Sequence, residues 1–382
     1  MSAPQEHHRS YMPQLDALRA LAVAAVAWSH WAPHEMHGGI LWGPYGVKLF
    51  FVLSGFLITS ILLDCRAAGE ASPGGAWFAL RSFYVRRFLR LMPLYYMALL
   101  LAALCSVRPV RETLGWTLSY TANFYFFQRG GWNGVISHFW SLAVEEQFYV
   151  VWPLLIMFLP TRWLKPAVIG TVVASAGAWL VLAILNIHSP VMVTLPVLCC
   201  DALGLGALLA LLPEAASRNR LATLALRIGL PCWLATEGLS RLGVNHSLLF
   251  WLQQESVLLI FLWTIQRAAV GFTGPIGRVL ENRALVGLGT ISYGLYILHN
   301  FAPTMLVPLA RMLDLPRWAT RGLPNRIVLL SVLTIALAWV SWQAMEQPIQ
   351  GWKRFFPYRR KKAAADASRD QPVVAEPRRR AA

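Results

Sequence analysis

Charged residues are scarce in this chain of 382 residues. Only 14% of the residues are Asp, Glu, Lys or Arg, whereas a soluble domain carries about 25%. Hydrophobic residues make up 57% of the chain, and the mean hydropathy is +0.49. This composition excludes an ordinary soluble protein and predicts an all-α integral membrane protein, whose apolar surface faces lipid as well as a core.

Motifs typical of nucleotide-binding and metal-binding proteins are missing as well. The sequence has no GxGxxG motif, no P-loop and no internal repeat. Its five cysteines lie in or beside apolar runs without metal-ligand spacing, so we interpret them as small apolar residues and expect no metal. The net charge of +16 comes from basic residues spread over short loops and a tail, which indicates contact with anionic lipid and no nucleic acid partner.

The chain instead contains a series of apolar runs that are long enough, or nearly long enough, to cross a bilayer. We predict about ten transmembrane helices, near residues 14–33, 45–63, 92–107, 138–160, 166–186, 190–212, 222–241, 247–266, 285–308 and 327–346. Most of the 34 Lys and Arg residues then fall on the side that holds both termini. This asymmetry predicts that both termini lie in the cytoplasm.

Two domains follow from this pattern. Residues 1–355 are predicted to form the transmembrane domain, and residues 356–382 a basic, disordered cytoplasmic tail that lies against anionic headgroups. The polar start of the chain shows no cleavable signal, so we expect the first span to be retained as a signal anchor. The stretch 113–127 is interpreted as a re-entrant or interfacial piece.

The first span carries an arginine and a histidine on one face. Arg19 and His30 are eleven residues apart, which brings both side chains to nearly the same face, about 16 Å apart along the axis. Ionisable groups inside an apolar span are costly and are by default functional candidates. A buried histidine stays unprotonated, because burial disfavours the imidazolium, and it can therefore act as a general base. Asp16 is interpreted as a first-turn carboxylate that offsets the helix dipole.

A basic turn precedes the third span. Arg87 and Arg90 share one helical face, and Arg86 lies close by. One interpretation is a positive-inside signal with lipid phosphate contact. The other is a site for a phosphorylated cosubstrate, since arginine forks match phosphate oxygens.

Adjacent carboxylates, Glu145 and Glu146, lie just inside the fourth span. They point about 100° apart, so both cannot face one partner. Glu145 shares a face with Ser141 and is predicted to orient His30 and to stabilise its imidazolium, although the sequence leaves open whether Glu146 does so instead. Ser54, with Gly55 in the second span, indicates close helix packing, and its alternative role as a nucleophile lacks the strand-turn-helix context.

A polar stripe runs along the ninth span. Tyr293, Tyr296 and His299 follow one another at intervals of three, and Asn300 is four residues from Tyr296. The stripe is predicted either to line a substrate-binding cavity or to form a satisfied interhelical network. Glu346, at the end of the last span, is interpreted as structural.

Together these pieces resemble the acyltransferase-3 family of bacterial multi-pass membrane O-acyltransferases. The matching residues are Leu15, Asp16, Arg19 and His30, then 50–56, then Arg86, Arg87, Arg90 and Pro93, then Trp140, Ser141, Leu142, Glu145, Glu146, Phe148 and Tyr149, then Ser292, Tyr293, Tyr296 and His299. The resemblance implies transfer of an acyl group, commonly acetyl, from cytoplasmic acyl-CoA to a hydroxyl of a sugar, surface polysaccharide or lipid-linked glycan. It implies a protein of the bacterial inner (cytoplasmic) membrane, with His30 and Arg19 as essential residues and Arg87 and Arg90 next in importance. Many relatives carry a C-terminal extracytoplasmic hydrolase-like domain, and we expect this chain to be the stand-alone form.

From these residues and the resemblance we predict an enzyme, an O-acetyltransferase with acetyl-CoA as cosubstrate. Arg86, Arg87 and Arg90 bind the phosphates of the acyl-CoA, and His30 removes the proton of the acceptor hydroxyl. Two alternatives remain at the level of sequence. The first is a secondary transporter or lipid-linked sugar flippase, because buried Arg, His and Glu also serve proton relays. The second is an acyltransferase whose acceptor is a small hydrophobic molecule.

Overall fold

The structure is a computed structural model in which the described part of the chain is helical and contains no strand. It describes residues 11–70, 75–187, 189–244, 246–316 and 322–358. In chain order the α-helices are α1 (Pro13–Trp31), α2 (Trp42–Glu70), α3 (Gly75–Leu104), α4 (Arg108–Glu112), α5 (Leu114–Leu118), α6 (Ala122–Arg129), α7 (Phe139–Phe158), α8 (Thr161–Ile184), α9 (Cys200–Leu211), α10 (Ala215–Arg241), α11 (Ser247–Val270), α12 (Gly274–Leu280), α13 (Arg283–Thr290), α14 (Ser292–Leu298), α15 (Ala302–Met312), α16 (Leu323–Ser341) and α17 (Gln347–Gly351).

Within these ranges, six helical segments are long and apolar enough to cross a membrane. They are Trp42–Glu70, Gly75–Leu104, Gly134–Phe158, Thr161–Ile184, Ser247–Val270 and Leu323–Phe355. Each of the ten predicted spans overlaps a helix, but these length and hydropathy criteria do not support the count of ten. Charged side chains lower the hydropathy of α1 and α10, and α9 has only twelve residues.

The predicted span 285–308 is not one continuous helix. The structure divides it into α13, α14 and α15, with breaks at Ile291 and between His299 and Phe301. Pro303 lies in the first turn of α15, where its missing N–H is tolerated, so the sequence favours a helix start at this point. As a result, His299 and Asn300 follow the end of α14 rather than lying mid-helix, and their side chains contact other elements.

Close packing of α2 against α9 confirms the interpretation of Gly55. A Cβ atom on Gly55 would lie 1.9 Å from the carbonyl oxygen of Leu203, and a Cβ on Gly206 would lie 2.0 Å from that of Val52. Both neighbours are backbone atoms, which cannot rotate away as a side chain can. The two glycines therefore allow the helices to cross with their backbones in contact, as small residues do in membrane proteins.

We expect Gly55→Ala to lower the free energy of unfolding by about 1–3 kcal/mol, because the added methyl group forces α2 and α9 apart. The measurement is the thermal unfolding midpoint of the detergent-solubilised protein. Gly177→Ala in α8 is the matched control, since nothing lies within 4 Å of its added Cβ. That control should be neutral or stabilising by about 0.5–1 kcal/mol. Equal midpoints for the two variants would contradict the packing argument.

Candidate functional site

A cavity of about 230 Å³ lies between α1, α2, α3, α7 and α14. Three arginines line one end, which we call the arginine end: Arg19, Arg87 and Arg90. At the other end, called the tyrosine end, the lining includes Ser141 and Tyr296. The cavity therefore brings together residues from separate helices that the sequence separately marked as candidates.

Contacts between the helices establish the order of residues along the cavity. The ring of Tyr296 packs against Phe50, and its hydroxyl is hydrogen-bonded to the Ser141 hydroxyl. Ser54, one turn further along α2, donates to Glu145 over 2.8 Å. The cavity thus passes from the arginines, through a carboxylate in the middle, to the tyrosine end.

At the arginine end, Arg19 is paired with a carboxylate, whereas Arg87 has a donor without a partner among the described residues. Nη1 of Arg19 lies 2.6 Å from Oδ1 of Asp16, so Asp16 pairs with Arg19 as well as occupying the first turn of α1. The guanidinium of Arg87 stacks on the ring of Tyr149, with Cζ 3.7 Å from the ring centroid. Nε of Arg87 is buried and has no hydrogen-bond partner among the described residues. A buried donor left unpaired is costly, and here it is a donor available to a ligand.

Arg86 does not line the cavity, unlike Arg87 and Arg90. Its Nη1 donates to the carbonyl oxygens of Lys353 over 2.9 Å and of Phe356 over 3.2 Å. Its Cζ lies 4.7 Å from the centroid of the Tyr358 ring. Successive arginines on a helix point about 100° apart, which explains why Arg86 and Arg87 have different partners. The first residues of the predicted tail, 356–358, thus pack on α3; residues 359–382 lie outside the described residues.

Glu145 is not the residue that holds His30, which corrects the predicted pairing. Its Oε1 accepts from Ser54, and Ser54 also accepts from the Tyr149 hydroxyl over 3.0 Å. These bonds connect Glu145 to Ser54 and Ser54 to Tyr149, and within the described ranges no histidine ring bonds Glu145. Glu145 is two turns along α7 from His138, about 10.5 Å, and therefore lies too deep to reach the end of α1. Both Glu145 and Glu146 interact electrostatically with Arg87, which accounts for two adjacent carboxylates.

Three histidines from three elements meet beyond the tyrosine end. His30 Nδ1 lies 2.9 Å from His299 Nε2, and the two rings stack with centroids 5.0 Å apart. The His138 ring lies 4.9 Å from that of His299, and its Nε2 donates to the carbonyl of Ile297 over 3.1 Å. His138 was not among the residues predicted from the sequence to belong to the site. The available signal was its position one turn before Ser141 on the same face of α7.

The hydrogen-bond chain determines the tautomers of His30 and His299. His299 Nδ1 lies 2.7 Å from the carbonyl oxygen of Tyr296, and a carbonyl oxygen only accepts, so this nitrogen carries the proton. In the neutral ring, Nε2 of His299 is then an acceptor, and His30 donates to it through Nδ1. Nε2 of His30 is left with a free lone pair. Inferred from the bonding network, this arrangement matches that of a general base held by a third group.

His30 lies outside the cavity lining, beyond Tyr296. It occupies the last turn of α1, where the residue is exposed, whereas His299 is fully buried. The ring of Tyr296 lies 5.7 Å from that of His299, and its hydroxyl donates to the carbonyl of His138 over 3.3 Å. Tyr296 therefore stands between the cavity and the histidines, while His30 is reached from the opposite side.

The polar stripe of α14 contributes both to the cavity and to interhelical bonding. Tyr293 and Tyr296 line the cavity, and the Tyr293 hydroxyl donates to the carbonyl of Leu91 over 2.7 Å. His299 belongs to the histidine cluster instead. Asn300 donates to the carbonyl of Val135 over 3.0 Å and so ties the loop before α7 to the end of α14. Glu346 is buried and accepts from Ser341 over 2.9 Å, which agrees with its structural interpretation.

Metal-ligand geometry is not found in the described ranges: no group of three or more His, Cys, Asp or Glu side chains there is arranged to hold a metal ion. The distance of 2.9 Å between His30 and His299 is that of a direct hydrogen bond. The two imidazoles joined by this bond can perform acid–base chemistry, next to a cavity with a cationic end.

Comparison with protein families finds one that covers nearly the whole chain. The family model described as an acyltransferase domain matches residues 12–343. This range includes every cavity-lining residue named above and all three histidines. No solved structure matches the chain.

Among curated proteins, similarity extends over most of the chain. "Peptidoglycan O-acetyltransferase OatA" of Listeria monocytogenes is 27% identical over 384 residues, covering 92% of this chain and 57% of the relative. "Putative peptidoglycan O-acetyltransferase YrhL" of Bacillus subtilis is 31% identical over 396 residues, with the same two coverages. "Putative O-acetyltransferase SAS0844" of Staphylococcus aureus is 33% identical over 163 residues, which is 39% of this chain and 25% of the relative. The chain thus spans 57% of the length of its first two relatives.

Proposed function

The chain belongs to the acyltransferase-3 family, and from this premise we propose that it is a membrane O-acetyltransferase that moves an acetyl group from acetyl-CoA to a hydroxyl of a cell-wall glycan. One observation carries this proposal. A single cavity has an arginine end suited to phosphate and a tyrosine end next to a histidine whose Nε2 is free. A phosphate site at one end and a general base beyond the other are two elements that acyl transfer from a phosphorylated donor to a hydroxyl uses.

The donor is assigned to the arginine end because guanidinium groups match phosphate oxygens with two parallel hydrogen bonds. Arg87 has an unused buried N–H there, and Arg90 lines the same wall. We place this end toward the cytoplasm, where acyl-CoA is found, since the basic loops of the sequence favour cytoplasmic termini. The thioester arm then extends past Glu145 toward Tyr296.

The chemical step is assigned to His30. Its Nε2 takes the proton of the acceptor hydroxyl while the hydroxyl oxygen bonds to the thioester carbonyl carbon. The carbon–sulfur bond then breaks, and the imidazolium returns the proton to the departing thiolate. His299 accepts from Nδ1 and holds His30 in the tautomer that this step needs, as the third member of a triad does.

Tyr296 separates the donor from the base in the structure described above. Transfer therefore requires its ring to move away from Phe50 and its hydroxyl to leave Ser141. The acceptor approaches the exposed side of His30, opposite the cavity, so donor and acceptor enter from different sides.

The glycan acceptor is proposed from the relatives, since OatA is named for peptidoglycan. The test uses membranes containing the protein, radiolabelled acetyl-CoA and peptidoglycan fragments. Label that enters the fragments supports the proposal. Gradient-driven uptake of unlabelled glycan without acetylation would overturn it in favour of a transporter or flippase. Label on small hydrophobic alcohols but never on glycan would overturn the acceptor class.

We expect His299→Phe to lower kcat for acetyl transfer by about 10²-fold, because His30 then loses the acceptor that holds its tautomer. His299→Gln should recover most of the activity, since an amide can accept from His30 and donate to the Tyr296 carbonyl. The measurement is kcat and its pH profile for both variants. Equal activity of the Phe and Gln variants would exclude a positioning role. A pH profile that stays unchanged in His299→Phe would indicate that His299 has a merely structural role.

A further inference from the structure

A C-terminal strap, residues 342–358, packs along α3 beside the arginine end of the cavity. Within the strap, Trp352–Phe355 form a short helical turn. Arg86 bonds the carbonyl oxygens of Lys353 and Phe356 from α3. These charge-assisted bonds fix the backbone inside the turn, at Lys353, and directly after it, at Phe356, and so determine where the Lys353 side chain can reach.

Lys353 is held among cations. Its half-buried ammonium donates to the neutral Gln350 Oε1 over 2.5 Å and has no ion-pair partner in the described part of the chain. The charged groups that act on it are the arginines of α3: Arg86, Arg87 and Arg90. Positive charges brought together in a partly buried place repel one another unless an anion lies between them.

The acidic residue of the strap does not relieve this repulsion. Glu346 accepts from Ser341 and acts electrostatically on Arg90, not on Lys353. On the other side of the cluster, Asp16 is bonded to Arg19 over 2.6 Å. Lys353 is therefore left without a carboxylate, and the geometry calls for an anion supplied by a ligand.

The size of the cavity indicates which part of a ligand this anion belongs to. Pockets that enclose a drug-sized ligand measure about 300–1,000 Å³, whereas this cavity measures about 230 Å³. It can hold a narrow acylated arm but not the nucleotide portion of the donor as well. The rest of the nucleotide, with those of its phosphates that Arg87 and Arg90 do not bind, must then lie outside the cavity, next to the strap.

We propose that Lys353, positioned by Arg86, is a further donor-binding residue that contacts a phosphate of the nucleotide portion of acetyl-CoA. This inference rests on the proposed function, because it assumes that acetyl-CoA is the donor. It assigns a substrate contact to a segment that follows the last predicted membrane span. It also gives Arg86 the role of positioning Lys353.

The test compares acetyl-CoA with S-acetylpantetheine, which has the same thioester arm but lacks the nucleotide and its phosphates. For Lys353→Gln we expect KM for acetyl-CoA to rise about tenfold. For the same variant, kcat/KM with S-acetylpantetheine should remain unchanged. Lys353→Arg should restore KM. Arg354→Gln is the matched control, since Arg354 is the exposed neighbour stacked on Phe355. It should leave the kinetic constants for both substrates unchanged.

The outcomes separate this inference from the function on which it rests. An unchanged KM for acetyl-CoA in Lys353→Gln, while the wild-type protein is active, overturns the inference alone. Equal losses on both substrates also overturn it, because they indicate a structural defect. A wild-type protein that uses neither thioester overturns the proposed function and the inference with it.

Discussion

His30→Ala is expected to lower acetyl transfer by about 10²–10⁴-fold, the contribution typical of a general base. The variant should still fold and insert, because His30 is exposed and its removal deletes no core atoms. It leaves one buried acceptor, Nε2 of His299, without its partner, at a cost of about 1–3 kcal/mol. The measurement is turnover of labelled acetyl-CoA by equal amounts of purified protein.

A neighbouring histidine serves as control for this variant. His34 lies on the loop after α1, where it is exposed, and its ring packs on His37 rather than on His30. His34→Ala should therefore have normal turnover. If His30→Ala had near-normal turnover as well, the imidazole would be removed from the mechanism and the proposed chemistry would be lost.

Arg87→Gln is expected to weaken donor binding strongly and also to lower the stability of the protein. Arg87 is the cation that acts on two carboxylates, Glu145 and Glu146, in the membrane region. Removing this cation leaves the two carboxylates without the charge that offsets them, and an uncompensated charge in the membrane region is destabilising. We therefore expect a lower thermal midpoint together with a large rise in KM for acetyl-CoA.

Arg87→Lys separates these two effects. Lysine keeps the positive charge that offsets the glutamates, so the thermal midpoint should stay near that of the wild-type protein. It loses the planar fork, so KM for acetyl-CoA should still rise about tenfold. Arg81→Gln, an exposed arginine on the same helix, should change neither quantity. Unchanged KM in both Arg87 variants would contradict the placement of the donor phosphates.

Local sequence patterns were sufficient to predict the helical class and the family, and to select most of the candidate residues. Apolar runs and scarce charge predict membrane helices because the bilayer excludes unpaired polar backbone. A helical period also predicts which side chains of one span share a face, as with Tyr293 and Tyr296, which line the cavity together. The packing role of Gly55 was predictable as well, because a small residue in a membrane span allows two helices to approach each other closely.

Partners across helices depended on the tertiary structure. The sequence places Glu145 and His30 on separate helices, and only the axial offset between α1 and α7 decides that His299 bonds His30 while Glu145 bonds Ser54. The same holds for Arg86, whose direction around α3 turns it to Lys353 and away from the cavity. Periodicity describes one helix at a time, whereas these contacts depend on how far each helix is shifted and rotated against its neighbours.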